Sequence, residues 1–312
     1  MKRGALVAVA ALLDAACGDP PSLPHPVRAI GAAIAAGEPL VRDLFDDTPS
    51  GKRGAGALLT ISIAASTYAA TAAAARVPGL EALAAASSLA LRDLLEHVRA
   101  VVEPLQAGDL ATARSRLARV VGRDTAHLGA SDIARAAIET LAESACDGVI
   151  APLSYLTLGG SPLALAYKAV NTLDSTIGHI EEPYRDFGAF AARLDDVANF
   201  VPARITAACI AVAGGMLFGS APPAFETWRR DGRRHRSPNA GQVEAAMAGA
   251  LGVRLGGTNR YDGVETAGPS FGDEFGAPEA NDVERALGVT LLACSIAYLC
   301  ATALAVLFDA RS

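Results

Sequence analysis

Four stretches of this chain, residues 54–75, 148–167, 205–225 and 286–308, contain no Asp, Glu, Lys or Arg. Each approaches the length of about 20 apolar residues that crosses a hydrocarbon core. Within a bilayer the backbone must satisfy its own hydrogen bonds, which leaves helices or closed barrels. Strand patterns are nearly absent, so the stretches predict helices. Composition agrees: 51% of the 312 residues are hydrophobic and only 19% charged, against about 25% charged in an ordinary soluble domain. Buried helices of an Ala-rich soluble bundle are the alternative, because Ala is a weak membrane residue. Residues 286–308, bracketed by Arg285 and Asp309, are the cleanest candidate span. Pro152, Gly159-Gly160 and Pro162 interrupt 148–167, which predicts a broken or re-entrant element lining protein. The fold class expected is all-α: a polytopic integral membrane helical protein with about four or five apolar segments and large polar loops. No repeat or soluble second domain is visible, so one membrane domain over 1–312 is expected.

At the N-terminus Lys2 and Arg3 precede an apolar run, 4–13, as in a signal peptide, and Cys17 invites a lipoprotein reading. Asp14 and the lack of Leu three residues before Cys17 argue instead for a retained, short hydrophobic helix. Net charge is −6, so no global basic field favours nucleic acid. Arg229, Arg230, Arg233, Arg234 and Arg236 follow an apolar segment, where positive-inside places a cytoplasmic loop. Every large loop carries Arg or Lys, so topology does not resolve. Five cysteines with no C-x-x-C pair argue against zinc or a disulfide framework.

Between the apolar stretches the chain reads as helices with definite punctuation. Residues 54–75 and 81–102 flank Pro78-Gly79 as a helical hairpin. Residues 109–121 are amphipathic, with Arg114, Arg116 and Arg119 opposing Leu110 and Leu117. Ser131 or Asp132 can cap a helix beginning near Ile133, and 261–282, rich in Gly, Pro and acids, reads as a loop.

Polar groups recur at helical spacing beside this apolar sequence. Arg135, Glu139, Glu143 and Asp147 form an i, i+4 stripe. Stacked carboxylates suit a hard cation such as Mg, with substrate phosphates completing its shell; a solvated, salt-bridged helix face explains the same spacing. Tyr167, Asn171, Asp174 and Gly178 share a face, with Lys168 beside them. A lone Lys at a boundary snorkels, but the added Asn171, Thr172, Asp174 and Ser175 argue for a polar cavity. Asp195, Asp196, Asn199 and Arg204 repeat the theme, as cavity residues or as caps and loop ion pairs. The stretch 18–31 is stiffened by prolines and offers Asp19, His25 and Arg28, as a site or only as a rigid connector. No Walker A loop, G-x-G-x-x-G, G-x-S-x-G or H-E-x-x-H occurs.

Taken in order, GDPPSLPHPVRAIG, GRDT, ETLAE with DGVIAPL, YKAVNTLDS, DDVANFVPAR and SPNAG with GALGVRLGG resemble the CobD/CbiB family of adenosylcobinamide-phosphate synthases. The resemblance covers most of the chain. It implies a multi-pass enzyme of the cell (inner) membrane that acts in cobalamin biosynthesis. Such an enzyme joins (R)-1-amino-2-propanol, or its O-phosphate, to the propionate carboxylate of adenosylcobyric acid, with ATP and Mg. Other cobalamin-biosynthesis enzymes are implied as partners, and nucleic acid is not. Ser144 where Asn is usual, Gln242-Val243 for Trp-Pro, and His179 for an aromatic residue depart from the family pattern.

On that resemblance Glu139, Glu143 and Asp147 are the metal candidates. Lys168 and Arg123 are expected to neutralise phosphate and Asp174 or Asp195 to serve as base, with Asp196 a further catalytic candidate. Asp19, His25, Arg28, Asn171, Asn199, Arg204, Ser237 and Asn239 are the substrate-binding candidates. A corrinoid transporter would use the same buried polar groups without ligation. A non-catalytic assembly protein is the other alternative, although the motifs keep their polar residues.

Overall fold

Ala and Leu, both strong helix formers, dominate the chain. The computed structural model describes residues 1–19, 25–179, 181–261 and 263–311, and it is helical almost throughout. In chain order the helices are α1 (Arg3–Cys17), α2 (Pro26–Arg42), α3 (Pro49–Ala74), α4 (Pro78–Ala86), α5 (Leu91–Gln106), α6 (Leu110–Leu117) and α7 (Ala130–Ala145). Then follow α8 (Ala151–Ile177), α9 (Ala189–Phe218), α10 (Ala221–Asp231), α11 (Ala240–Leu251) and α12 (Ala280–Asp309). Of the four prolines read as a stiff connector, Pro20, Pro21 and Pro24 lie outside the described residues and Pro26 opens α2. Among the described residues, four helices are long and apolar enough to cross a membrane: α3, the joined run Ala130–Ile177, α9 and α12. The fold is therefore all-α and polytopic.

The Ala130–Ile177 run is broken twice, as its prolines and glycines predict. A π-helical turn, Cys146–Ile150, joins α7 to α8 just before Pro152, whose missing N–H cannot continue an i, i+4 ladder. Within α8, Gly160 adopts φ 73° and ψ −170°, a conformation essentially confined to glycine, and Pro162 follows it.

The chain forms two compact units: Met1–Ala90 with Ala151–Asn199 and Tyr298–Ser312, and Leu91–Ile150 with Phe200–Ala297. The sequence predicts a single 1–312 domain and gives no hint of these borders. Three of the four fall inside continuous helical runs, where composition does not change.

In the first unit Ile30 and Ile34 of α2, Leu59 and Ile63 of α3, and Leu173 and Ile177 of α8 pack around Phe187. Gly56 is required there, because the Phe187 carbonyl occupies the space a Cβ would fill. Helix α1 packs on α4 and α8, with Leu6, Val7 and Ala10 buried. Its first turn is tied down by Asp309, which accepts from the Arg3 and Gly4 N–H groups at 3.0 and 2.9 Å. The expected short hydrophobic helix is thus a packed element of this unit.

In the second unit α5 presents Leu95, Val98, Val101 and Val102 inward, and α7 buries Ile133, Ile138 and Leu141. Helix α11 is buried along its whole length.

Three local expectations change. The second arm of the predicted hairpin, 81–102, is split. Ser87 and Ser88 donate to the Ala84 and Ala85 carbonyls at 3.1 and 2.7 Å, the chain leaves the helix, and α5 starts at Leu91. Helix α7 begins at Ala130 rather than near Ile133, because Ser131 donates to Pro278 O instead of capping. Residues 261–282 are not wholly loop. Strand β1 (Leu255–Gly256) pairs with β4 (Ser270–Phe271), and β2 (Asn259–Tyr261) with β3 (Val264–Thr266), with Gly263 and Gly272 at positive φ supplying tight reversals.

Candidate functional site

Each unit carries a buried cluster of polar side chains. In the second unit it is built on α7, whose i, i+4 spacing places Arg135, Glu139 and Glu143 on one face. That face is not solvated: Glu139 is 2% exposed and Glu244, projecting from α11, is 5% exposed. Glu139 is fully engaged. Its Oε2 accepts from Arg123 Nη1 at 2.6 Å, and its Oε1 accepts from the Gly256 N–H at 2.7 Å and Arg135 Nη1 at 3.3 Å. Asn259 Oδ1 accepts from both guanidiniums, at 2.9 and 3.1 Å, and locks their orientation. Burial works against the Arg123 charge, but Glu139 beside it holds the guanidinium above its ordinary pKa.

Glu143 and Glu244 are hydrogen-bonded to each other, which requires a proton between them. Burial first, then the neighbouring Glu143 and Glu139, push the Glu244 carboxyl well above the ordinary range.

The metal trio expected from the stripe does not come together. Glu139 is committed to arginine, and Asp147 stands in the π turn, whose i, i+5 bonding breaks the i, i+4 register. Among the described residues no three His, Cys, Asp or Glu side chains form a set that could hold a metal ion. The pair that fits a hard cation is Glu143 with Glu244: oxygen donors sharing a proton that a cation can replace.

In the first unit, α8 and the start of α9 bring together two motifs that the sequence separates. Asp195 is buried and accepts from Asn171 Nδ2 at 3.3 Å and Asn199 Nδ2 at 3.0 Å. Asn199 Oδ1 in turn accepts from the Tyr167 hydroxyl at 2.8 Å. Lys168 Nζ donates to Asn171 Oδ1 at 3.3 Å, so the amide relays the lysine toward the carboxylate. Tyr155 stacks on Tyr167, with ring centroids 5.0 Å apart, and donates to Ala198 O. Asp174 and Asp196 lie close enough to interact electrostatically with each other, and Asp195 with each of them. These motifs thus form one hydrogen-bonded polar cluster rather than separate snorkelling or loop-cap groups.

Asp19 Oδ1 lies 3.0 Å from His25 Nε2, and His25 Nδ1 accepts from Val27 N–H to cap α2, which carries Arg28 on an exposed position. Ser237 Oγ accepts from the Asn239 and Ala240 N–H groups at the start of α11, a capping geometry, and Asn239 is buried there. Arg204 lies over the Phe200 ring at 3.6 Å. Asn199, 1% exposed and engaged at both ends of its amide, orients Asp195 rather than facing a substrate. Of the departures from the family pattern, Gln242 accepts from Trp228 Nε1 at 2.9 Å and donates to Gly232 O at 2.7 Å. His179 tilts against Tyr184, and Ser144 is half-buried on α7.

Sequence reasoning did not place Glu244 or Asn259 in a site. For Glu244 a usable cue exists: it is the one charged residue in the Ala- and Gly-rich α11. For Asn259 none does, since a short ribbon brings it to α7.

Residues 7–290 match the model of the family described as CobD/Cbib protein. Among curated proteins, the chain is 42% identical over 297 residues to "Cobalamin biosynthesis protein CobD" of Klebsiella pneumoniae, covering 93% of each. It is 46% identical over 281 residues to the protein of that name from Geobacter metallireducens, covering 87% of each. Against "Cobalamin biosynthesis protein CbiB" of Salmonella typhimurium identity is 39% over 297 residues, again 93% of each. No solved structure matches.

Proposed function

This chain belongs to the CobD/Cbib family and has a role in cobalamin biosynthesis, and from that premise we propose that it is the amide-forming ligase. It would join (R)-1-amino-2-propanol or its O-phosphate to the propionate carboxylate of adenosylcobyric acid in the cell (inner) membrane. The observation that supports this reading best is the pairing of half-buried Glu143 with buried Glu244 beside Arg123 and Arg135. A membrane scaffold has no structural need for three carboxyl groups and two guanidiniums packed together out of water.

A free carboxylate is a poor acyl donor. In the proposed reaction its oxygen attacks the γ-phosphorus of ATP and ADP leaves; the amine nitrogen then attacks the acyl carbon and phosphate leaves. Arg123, oriented by Glu139 and Asn259, still has free N–H donors for an equatorial phosphate oxygen. Mg, if bound, would sit on Glu143 and Glu244 in place of their proton and supply charge neutralisation to phosphate. The amine reaches the enzyme as an ammonium, so a base must take its proton before attack. Asp195, held by Asn171 and Asn199, is the oriented candidate, with Asp174 and Asp196 beside it. Lys168 is the cation of that cluster that an anionic ligand would meet.

Growth of a cobinamide-synthase-deficient strain tests the reading. Expression of this chain is expected to restore growth on cobyric acid, and to make no difference on cobinamide. Restoration that instead depends on the external corrinoid concentration, with no cobinamide formed, would favour transport.

A further inference from the structure

The arginines that follow α9 divide into two sets. Arg230 is paired with Asp231 and Glu274 at 2.6 and 2.8 Å, and Arg234 with Asp231 and Asp273 at 3.3 and 3.1 Å. The arginines hold Asp231 and Glu274 below the ordinary carboxylate range, Ser270 and then Arg234 do the same for Asp273, and the contacts fasten the 270–274 turn to the end of α10. Arg229 and Arg233 do none of this. Among the described residues neither makes an ion pair or a hydrogen bond. Both line a cavity of about 690 Å³ together with Arg204.

Helix α10 returns beside α9, so that Arg233 comes near enough to Arg204 for the two cations to repel each other. Glu226 is the single carboxylate in the lining, which leaves a formal charge of two positive. One wall is aromatic: Phe225 and Trp228 have ring centroids 5.7 Å apart, and Gln242 fixes the indole through its Nε1–H. Three guanidiniums set against one carboxylate beside a fixed indole are organised for an anion that also presents a flat or apolar portion. We propose that this groove is a binding site for a phosphate-bearing ligand, with Arg204, Arg229 and Arg233 holding the phosphate and Trp228 the adjoining group. The chemistry is shared by a soluble phosphate ester or anhydride and by an anionic lipid headgroup. The inference does not depend on the ligation reaction.

Trp228 is the only tryptophan in the chain, so its fluorescence reports the groove directly. The full chain in phosphatidylcholine nanodiscs is titrated with pyrophosphate and with ATP, and its emission is compared with that in phosphatidylglycerol nanodiscs. A saturable change in phosphatidylcholine, weakened by about tenfold or more in the Arg229→Gln/Arg233→Gln variant, supports the site and a soluble ligand. A change seen only with phosphatidylglycerol, and lost in that variant, supports it with a headgroup as ligand. No change in any arm, or an equal change in the variant, overturns it. Both arginines are exposed, so the variant is expected to unfold at the wild-type temperature, which is measured alongside.

Discussion

Glu139 and Glu244 occupy one cluster, yet their surroundings set opposite expectations. Glu139 is the counter-charge for two largely buried guanidiniums, so Glu139→Gln leaves Arg123 without an ion-pair partner and Arg135 with Asp132 alone. Removing one partner from such a pair costs about 3–5 kcal/mol; thermal unfolding in detergent is expected to fall sharply, and an unchanged midpoint would contradict the assignment. Glu244→Gln keeps a hydrogen-bonding group of the same shape and is expected to fold, while amide formation is lost. It should also change the pH dependence of stability. The folded chain keeps a proton on Glu244 that the unfolded chain releases near its ordinary pKa of 4.5. That contribution is complete below the unfolded value and is lost as pH rises through the raised folded one. Unfolding midpoints between about pH 5 and about pH 8 should therefore fall less steeply in Glu244→Gln than in the wild type. The stripe on α7 was readable from spacing, but its burial and its partner were not, because i, i+4 periodicity looks the same on a wet face and a dry one. The same limit applied to Lys168, Asn171, Asp195 and Asn199. Their types suggested a cavity or caps, and the hydrogen bonds that join them between α8 and α9 could not be read from spacing.

At the scale of elements, the joined helix Ala130–Ile177 rests on two local defects. Gly160 sits where other residues are strained by about 1–3 kcal/mol. Gly160→Ala is expected to lower the unfolding temperature of the membrane-embedded protein, and no loss would mean that the kink is not required. The sequence announced this break through Gly159-Gly160 and Pro162, since glycine and proline act through the backbone. The split of 81–102 was hidden. Ser87 and Ser88 end α4 through hydroxyl bonds to its own carbonyls, and serine inside a helical pattern carries no fixed meaning. Short strands such as Ser270–Phe271 were missed for a related reason: at two residues there is no alternation to see.

For the whole molecule, the four apolar helices were legible because the absence of charge over a bilayer's thickness is a strong pattern. The division into two units was not, because its borders run through helices rather than linkers. An alkaline carbonate wash is expected to leave the chain in the membrane pellet and detergent to release it; release by carbonate alone would contradict a multi-pass fold. The proposed chemistry is tested most directly by mass spectrometry. Membranes containing the wild type or Glu244→Gln are supplied with adenosylcobyric acid, Mg-ATP and either aminopropanol or its phosphate. The expected result is an ATP-dependent amide product with one amine, present for the wild type and absent for the variant. No amide with either amine from folded wild-type protein, or an equal yield from Glu244→Gln, would contradict it.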